Sequence, residues 1–325
     1  AMKRIITITF LFALIGMQAQ EHSLRLASDI WPPFADTNGE KAFALELVEE
    51  ALKRGDVSIA TSIVSFKEVL DGINAGKYDG SATLWKTRDR ESYLLYSDPY
   101  LENRLVLVSR AGNDVSADSL SDLKNKRVSV VSDYAYGTSI YTIPGISILP
   151  GKNDQQNLEL LLEGKTDYML VDELLIKYLL EYQHQEVKKY LSVGTKAIIV
   201  QPLYFAVLQN NPEAEAIISD FNENIRLMIA DGTYNEILEL NWIQYDVDGD
   251  GVMELVMGDG QVGKEAPANY YAIMSSSGLS TDTDRYYING TVYDGWNTVP
   301  AKFKSDLMKA ANSAPVESGG LKLKF

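Results

Sequence analysis

Residues Thr83 to Tyr100 read TLWKTRDRESYLLYSDPY. The stretch sets Arg88 and Arg90 two residues apart in a chain whose formal net charge is −15, and an aromatic–Ser–Asp–Pro–Tyr turn begins six residues after Arg90. A guanidinium fork grips a carboxylate through two parallel hydrogen bonds. One of these arginines is therefore a candidate anion receptor, and the other an ordinary solvated charge. The flanking sequence has to separate them.

With 325 residues, 46% of them hydrophobic, the chain is long enough for about two domains with real cores. Its acidic balance argues against nucleic acid or anionic lipid as the main partner, because both require basic patches. Lys3 and Arg4 precede the apolar run IITITFLFALIG (5–16), which is too short to span a bilayer. Residues 1–19 therefore read as an export signal cleaved after Ala19. No cysteine occurs, which leaves no disulfide framework, no lipid-anchored cysteine and no thiol chemistry. The expectation is a soluble, monomeric periplasmic protein.

Beyond the signal, short apolar strands alternate with amphipathic helices, a pattern that predicts α/β layers with mainly parallel sheets. SLRLAS (23–28), RLVLVS (104–109), RVSVV (127–131) and TDYMLVD read as strands, as do AIIVQ and LYFAVL on either side of Pro202. KAFALELVEEALKRG places Phe43, Leu47, Val48, Ala51 and Leu52 on one helical face. Ser65 and Glu68 form a capping box for the next helix. A long helix runs from Pro212 to Gly232, and Thr233 with Glu236 predicts one more through Trp242. No repeat of fixed period is visible. From about residue 244 the sequence turns rich in Gly, Ser, Asp, Asn and Tyr, with a lone helical pattern near AKFKSDLMKAAN. This segment, 244–325, reads as an extension that depends on packing against the body.

Taken in order, SDIWPPF, AGKYDGSATLWKTRDR, YSDPY, LVLVSR, KRVSVV, GKTDYMLVDE, YFAVLQNNPE and IADGTYNEILELNW resemble the periplasmic solute-binding proteins of amino-acid transporters, family 3. The resemblance covers about residues 22–243. It implies the type II, two-lobed fold, each lobe a mostly parallel sheet flanked by helices, joined by two hinge crossovers. Residues 22–110 and 202–243 would form lobe 1 and residues 111–201 lobe 2. It also implies capture of a small solute between the lobes and a membrane ABC permease as partner.

An α-amino acid brings a carboxylate and an ammonium, and each needs a complementary group once water leaves. By resemblance, Arg90 takes the carboxylate, since it precedes Tyr96 by the family's spacing; counting from Asp79 instead shifts the match by one residue and leaves Arg88 as the alternative. Thr83 matches a hydroxyl or backbone contact. Trp85 stands where many members carry a small hydroxyl residue. Asp172 matches the group that meets the ligand amine, although the same residue is also a favoured N-cap for ELLIKYLL. Asp29 ends the first strand, and Trp31 and Phe34 follow it where the family stacks an aromatic on the ligand. After RVSVV the family's Gly-Thr or Gly-Ser turn is replaced by SDYAYG. Asp133 there would repel an anion. Tyr134 and Tyr136, beside Trp31 and Trp85, would form an aromatic cage suited to a cation, an aromatic group or a ring.

DVDGDGVMEL (246–255) is the second motif. Hard cations need several oxygens converging from a short loop. Asp246, Asp248, Asp250, the Val252 carbonyl and Glu254 supply that pattern, which resembles the short calcium loops of extracellular repeats. The expectation is a structural calcium ion. A catalytic role finds thin support: His22 and His184 are the only histidines and sit apart. The chain is therefore read as a binding protein. The alternatives are a cyclohexadienyl-type dehydratase on the same fold, with Asp172 or Glu173 as general acid, and a sensory ligand-binding protein.

Overall fold

The computed structural model describes residues 22–36, 42–132, 134–136, 138–258, 265–267, 270–273, 279–280 and 283–304. The expected export segment and Asp133 lie outside the described residues.

Strand β1 (His22–Ser28) leads through helix α1 (Phe43–Arg54) to β2 (Val57–Ile63), and through α2 (Phe66–Asn74) to β3 (Gly80–Leu84). β2 and β3 both pair with β1 in parallel. The predicted face of α1 is buried, and the N–H groups of Gly55 and Asp56 close its last turn on the carbonyls of Leu52 and Lys53 respectively. The Ser65–Glu68 capping box is present at the start of α2; deleting such a cap costs about 1 kcal/mol.

After β4 (Leu94–Tyr96), strand β5 (Leu101–Arg110) crosses into the second lobe, which repeats the plan of the first. There β6 (Lys126–Val131) pairs in parallel with β7 (Ile146–Gly151) and β8 (Tyr168–Asp172), with α3 (Asp154–Leu162) between those two. Helices α4 (Glu173–Tyr182) and α5 (His184–Tyr190) precede the return strand β9 (Leu191–Leu208). The sheet order is β2-β1-β3-β9-β5-β8-β6-β7, with β4 also on β9. β5 and β9 pair antiparallel with each other and carry the chain across twice.

The lobes share a latch. Asp79 accepts hydrogen bonds from the backbone N–H and guanidinium of Arg25 in β1, and Asp167 does the same for Arg127 in β6. Each arginine also donates to a glycine carbonyl, Gly76 or Gly164. Those glycines have φ of 70° and 73°, which a side chain would strain. The sequence behind both latches is Gly-Lys-x-Asp, at 76–79 and 164–167.

Two expectations require correction. AIIVQ and LYFAVL form one continuous strand, β9, rather than two. At Pro202 that strand is paired only to β5, opposite Glu102, so a residue without an N–H is tolerated. Helix α6 (Ala214–Asp231) ends at left-handed Gly232 as predicted, but α7 (Thr233–Leu238) stops short of Trp242. Glu239 takes φ 55° and ends it, and Trp242 opens strand β10 (Trp242–Tyr245) with its ring 6.2 Å from both Tyr286 and Trp296. Tertiary packing overrides the local helical signal there.

The extension folds as a second sheet. β10 is joined by β11 (Glu254–Met257), β12 (Tyr271–Ala272), β13 (Arg285–Ile288) and β14 (Thr291–Asp294), in the order β12-β10-β11-β13-β14. Leu255, Met257, Tyr286, Ile288 and Val299 form its own core. Ile243, Val256, Tyr271 and Ile273 instead join the main core with Ile229, Tyr234 and Leu238. At the seam the backbones meet so closely that a Cβ on Gly232 would lie 2.3 Å from the Gly258 carbonyl oxygen. Of the helical pattern near 301–312, the described part is a 3-10 turn, Ala301–Phe303; residues after 304 lie outside the described residues.

Candidate functional site

The cleft is built on strand ends. The turn after β1 folds back at Trp31, whose N–H donates to the Ala35 carbonyl, while the Phe34 N–H donates to the Trp31 carbonyl. Phe34 is fully buried beneath Trp31, at 4.7 Å between ring centroids. Trp85 follows β3. Tyr134 and Tyr136 follow β6 on the other lobe. Trp31 and Trp85 lie 5.8 Å apart, and Tyr134 closes on them at 5.2 and 5.7 Å. Tyr136 meets Trp85 at 5.6 Å, and its hydroxyl accepts from the Val131 N–H. Four rings, drawn from both lobes, thus pack into one cluster.

A small cavity beside these rings is lined by Asp29, Trp31, Phe66, Thr83, Trp85, Arg90, Tyr134 and Ala135. Six of the residues expected to bind ligand share it. Phe34, Tyr136 and Asp172 stand behind its wall. Thr83 exchanges a hydroxyl–hydroxyl hydrogen bond with Ser28.

The two arginines separate cleanly. Arg90 opens a short 3-10 turn, donates from Nη1 to the Trp85 carbonyl at 2.8 Å and lies 5.1 Å from the centroid of the Phe66 ring. No carboxylate among the described residues pairs with it. Arg88 is exposed and does not line the cavity.

Three carboxylic acids surround the cage without a cationic partner among the described residues. Burial pushes Asp29 up to about 6, Asp154 up to about 7 and Asp172 up to about 8. All three contribute to holding the Tyr134 phenol far above its usual range, after burial itself. Asp172 also caps α4: its Oδ1 accepts from the Leu174 N–H at 2.7 Å. Its Oδ2 accepts from Asn103 Nδ2 at 3.1 Å, while Asn103 Oδ1 accepts from Trp85 Nε1 at 2.7 Å. Asn103 is fully buried on the crossover strand β5 and ties the cage to the second lobe.

Sequence reasoning missed Asn103, Phe66 and Asp154. Phe66 opens α2 as an ordinary apolar helix residue, and a polar residue inside an apolar strand carries no local signal. Glu173, one of the two acids considered for a catalytic role, is held by Arg104 at 3.0 Å and Lys177 at 3.3 Å.

In the acidic loop, oxygens of Asp246, Asp248 and Glu254 lie within 4.8 Å of one another. Asp246 accepts from the N–H groups of Gly249 and Gly251, and Asp250 from that of Val252. Val252 also forms a bridge to Ser280. A side chain 35 residues further on enters this ring. Arg285 contacts Asp250 at 2.7 Å, Glu254 at 2.9 Å and Asp248 at 3.0 Å. One guanidinium thus meets three of the four carboxylates expected from sequence to hold a metal.

Among curated proteins, the L-cystine-binding protein TcyA of Bacillus subtilis (strain 168) is 24% identical over 214 residues, 65% of this chain and 76% of the relative. The "Putative ABC transporter arginine-binding protein 2" of Escherichia coli (strain K12) is 26% identical over 251 residues, 72% of this chain and 95% of the relative. An ancestral arginine-binding protein solved with arginine bound matches with a TM-score of 0.55 at 25% identity, over 67% of this chain and 96% of that one. The family described as bacterial extracellular solute-binding proteins, family 3, matches residues 24–244, ending where the extension begins. With the twofold crossover, the paired lobes and that match in agreement, the chain belongs to the family 3 bacterial extracellular solute-binding proteins.

Proposed function

We propose that this protein captures a small amino-acid-like solute bearing a cationic or aromatic group, by closure of two lobes, and delivers it to an ABC permease. The observation that carries the reading is Arg90, a guanidinium lining the cavity without a carboxylate partner among the described residues, beside a cage of aromatic rings from both lobes. A ligand carboxylate would meet Arg90, and its amine or side-chain cation would meet the rings and the ionised form of Asp29, with the charge of Asp172 acting from behind the wall. Because groups from both lobes grip the ligand, binding would favour the closed arrangement. The two curated relatives are named for L-cystine and arginine, both amino acids, which supports this solute class. In this reading residues 1–19 direct export to the periplasm, residues 22–110 and 202–243 form the first lobe and 111–201 the second.

The test is calorimetry of the purified chain against amino acids, amines and aromatic acids. A saturable heat for one class, lost in Arg90→Ala, supports the reading. A substrate recovered chemically changed would replace it with an enzyme.

For the acidic loop we propose a structural calcium ion that competes with Arg285 for the same carboxylates.

A further inference from the structure

The extension lies beyond the family-matched residues, yet one of its side chains ends at the hinge. Tyr271 on β12 is fully buried, and its hydroxyl donates to the Glu102 carbonyl on β5. Glu102 stands opposite Pro202 of β9, where β5 and β9 cross between the lobes. The extension thus supplies a hydrogen-bond donor to the main chain of β5 at the crossing point. Tyr234, just before the extension, donates in the same way to the Tyr100 carbonyl at 2.7 Å. Two buried tyrosine hydroxyls therefore pin β5 where it leaves the first lobe.

The next residue on β5 is Asn103, whose amide holds both the Trp85 indole and the Asp172 carboxylate. Any displacement of the main chain at Glu102 is passed directly to that amide, since a trans peptide plane is stiff. The second lobe meets the same tyrosine: Lys177 Nζ on α4 lies 5.3 Å from the centroid of its ring.

We propose that Tyr271 is a positioning residue of the solute cleft: it fixes β5 at Glu102, so that Asn103 holds Trp85 in the cage and Asp172 on α4. Its ligand arm rests on the solute-binding reading above; its structural arm does not.

The experiment is Tyr271→Phe in the full chain, which removes the hydroxyl and keeps the ring. Hydrogen–deuterium exchange is measured without ligand, and affinity is measured for the amino acid selected by the calorimetric screen. Exchange is expected to rise at the amides of Asn103, Arg104 and Leu174, with affinity weakened about fivefold, the scale of one hydrogen bond. A lower melting temperature with unchanged exchange at those amides and affinity within about twofold would overturn the proposal, leaving Tyr271 as packing alone. If no amino acid binds the wild-type chain, exchange still decides: a rise confined to those amides upholds Tyr271 while the solute reading falls. Unchanged exchange overturns it in that case too. Where Tyr271→Phe does not fold, Lys177→Met keeps the hydroxyl bond and removes only the contact from the second lobe; exchange at Asn103 and Arg104 should then stay as in the wild type, and a rise there would overturn the proposal.

Discussion

Carboxylates gather in two places in this molecule, and their surroundings treat them in opposite ways. Around the cleft, Asp29, Asp154 and Asp172 have no cation beside them among the described residues, and burial pushes them up to about 6, 7 and 8. In the extension, Asp248 and Asp250 stand in water with Arg285 between them, and Asp250 is held below the usual carboxylate range by the Val252 N–H and by Arg285. The first group lacks a positive charge and the second already has one. An arriving cation gains most where the protein has left acids unpaired, so the cleft is the stronger candidate for a positively charged ligand.

The comparison breaks first at Arg90. Arg90→Ala is expected to weaken solute binding roughly a hundredfold and to abolish ligand-induced thermal stabilisation, as for a charge-assisted pair in a closed site. Arg88→Ala should change affinity by less than about twofold. Equal, small losses in calorimetry would remove the anion-receptor role from Arg90.

The next effect depends on pH. For a cationic solute, affinity should rise between about pH 5 and pH 8 as the three cleft acids ionise in turn. Stability of the ligand-free chain should run the other way. These folded-state values lie above the unfolded carboxylate range near 4, so their contribution is complete below about pH 4 and is lost as pH climbs through 6 to 8. Asp172→Asn keeps a good helix cap and removes the uppermost of these titrations. It should flatten the affinity profile above about pH 7; an unaltered profile would detach Asp172 from the ligand.

The smallest effect belongs to the loop. Added calcium should raise the melting temperature by about 2 °C and a chelator reverse it, because the ion has to displace Arg285. Arg285→Gln removes the competitor and should enlarge the response. Indifference to calcium in both proteins would leave a salt-bridged turn.

Much of the fold was legible because local signals agreed with it. The face of α1, the Ser65–Glu68 cap and Gly232 as a helix stop are set by residues within a turn of one another. The cleft was legible where it follows strand ends, at Trp31, Trp85 and Tyr134. What escaped is non-local. Asn103 is a polar residue in an apolar strand, and only the fold brings Trp85, 18 positions before it, and Asp172, 69 after it, to its two amide atoms. Arg285 reaches the acidic loop from another strand, so the loop read alone shows its acids and not the cation beside them. Trp242 was assigned to a helix because its neighbours favour one, and its partners Tyr286 and Trp296 lie dozens of residues downstream.

The matched latches, Arg25 with Gly76 and Asp79, and Arg127 with Gly164 and Asp167, have a consequence for ancestry. The same Gly-Lys-x-Asp pattern at the same point of two lobes with the same strand order is what a doubled half-gene would leave behind. On that view the cleft is where the copies drifted apart, tryptophans on one side and tyrosines on the other. The extension has no twin. It sets a tyrosine on the hinge from outside the doubled plan.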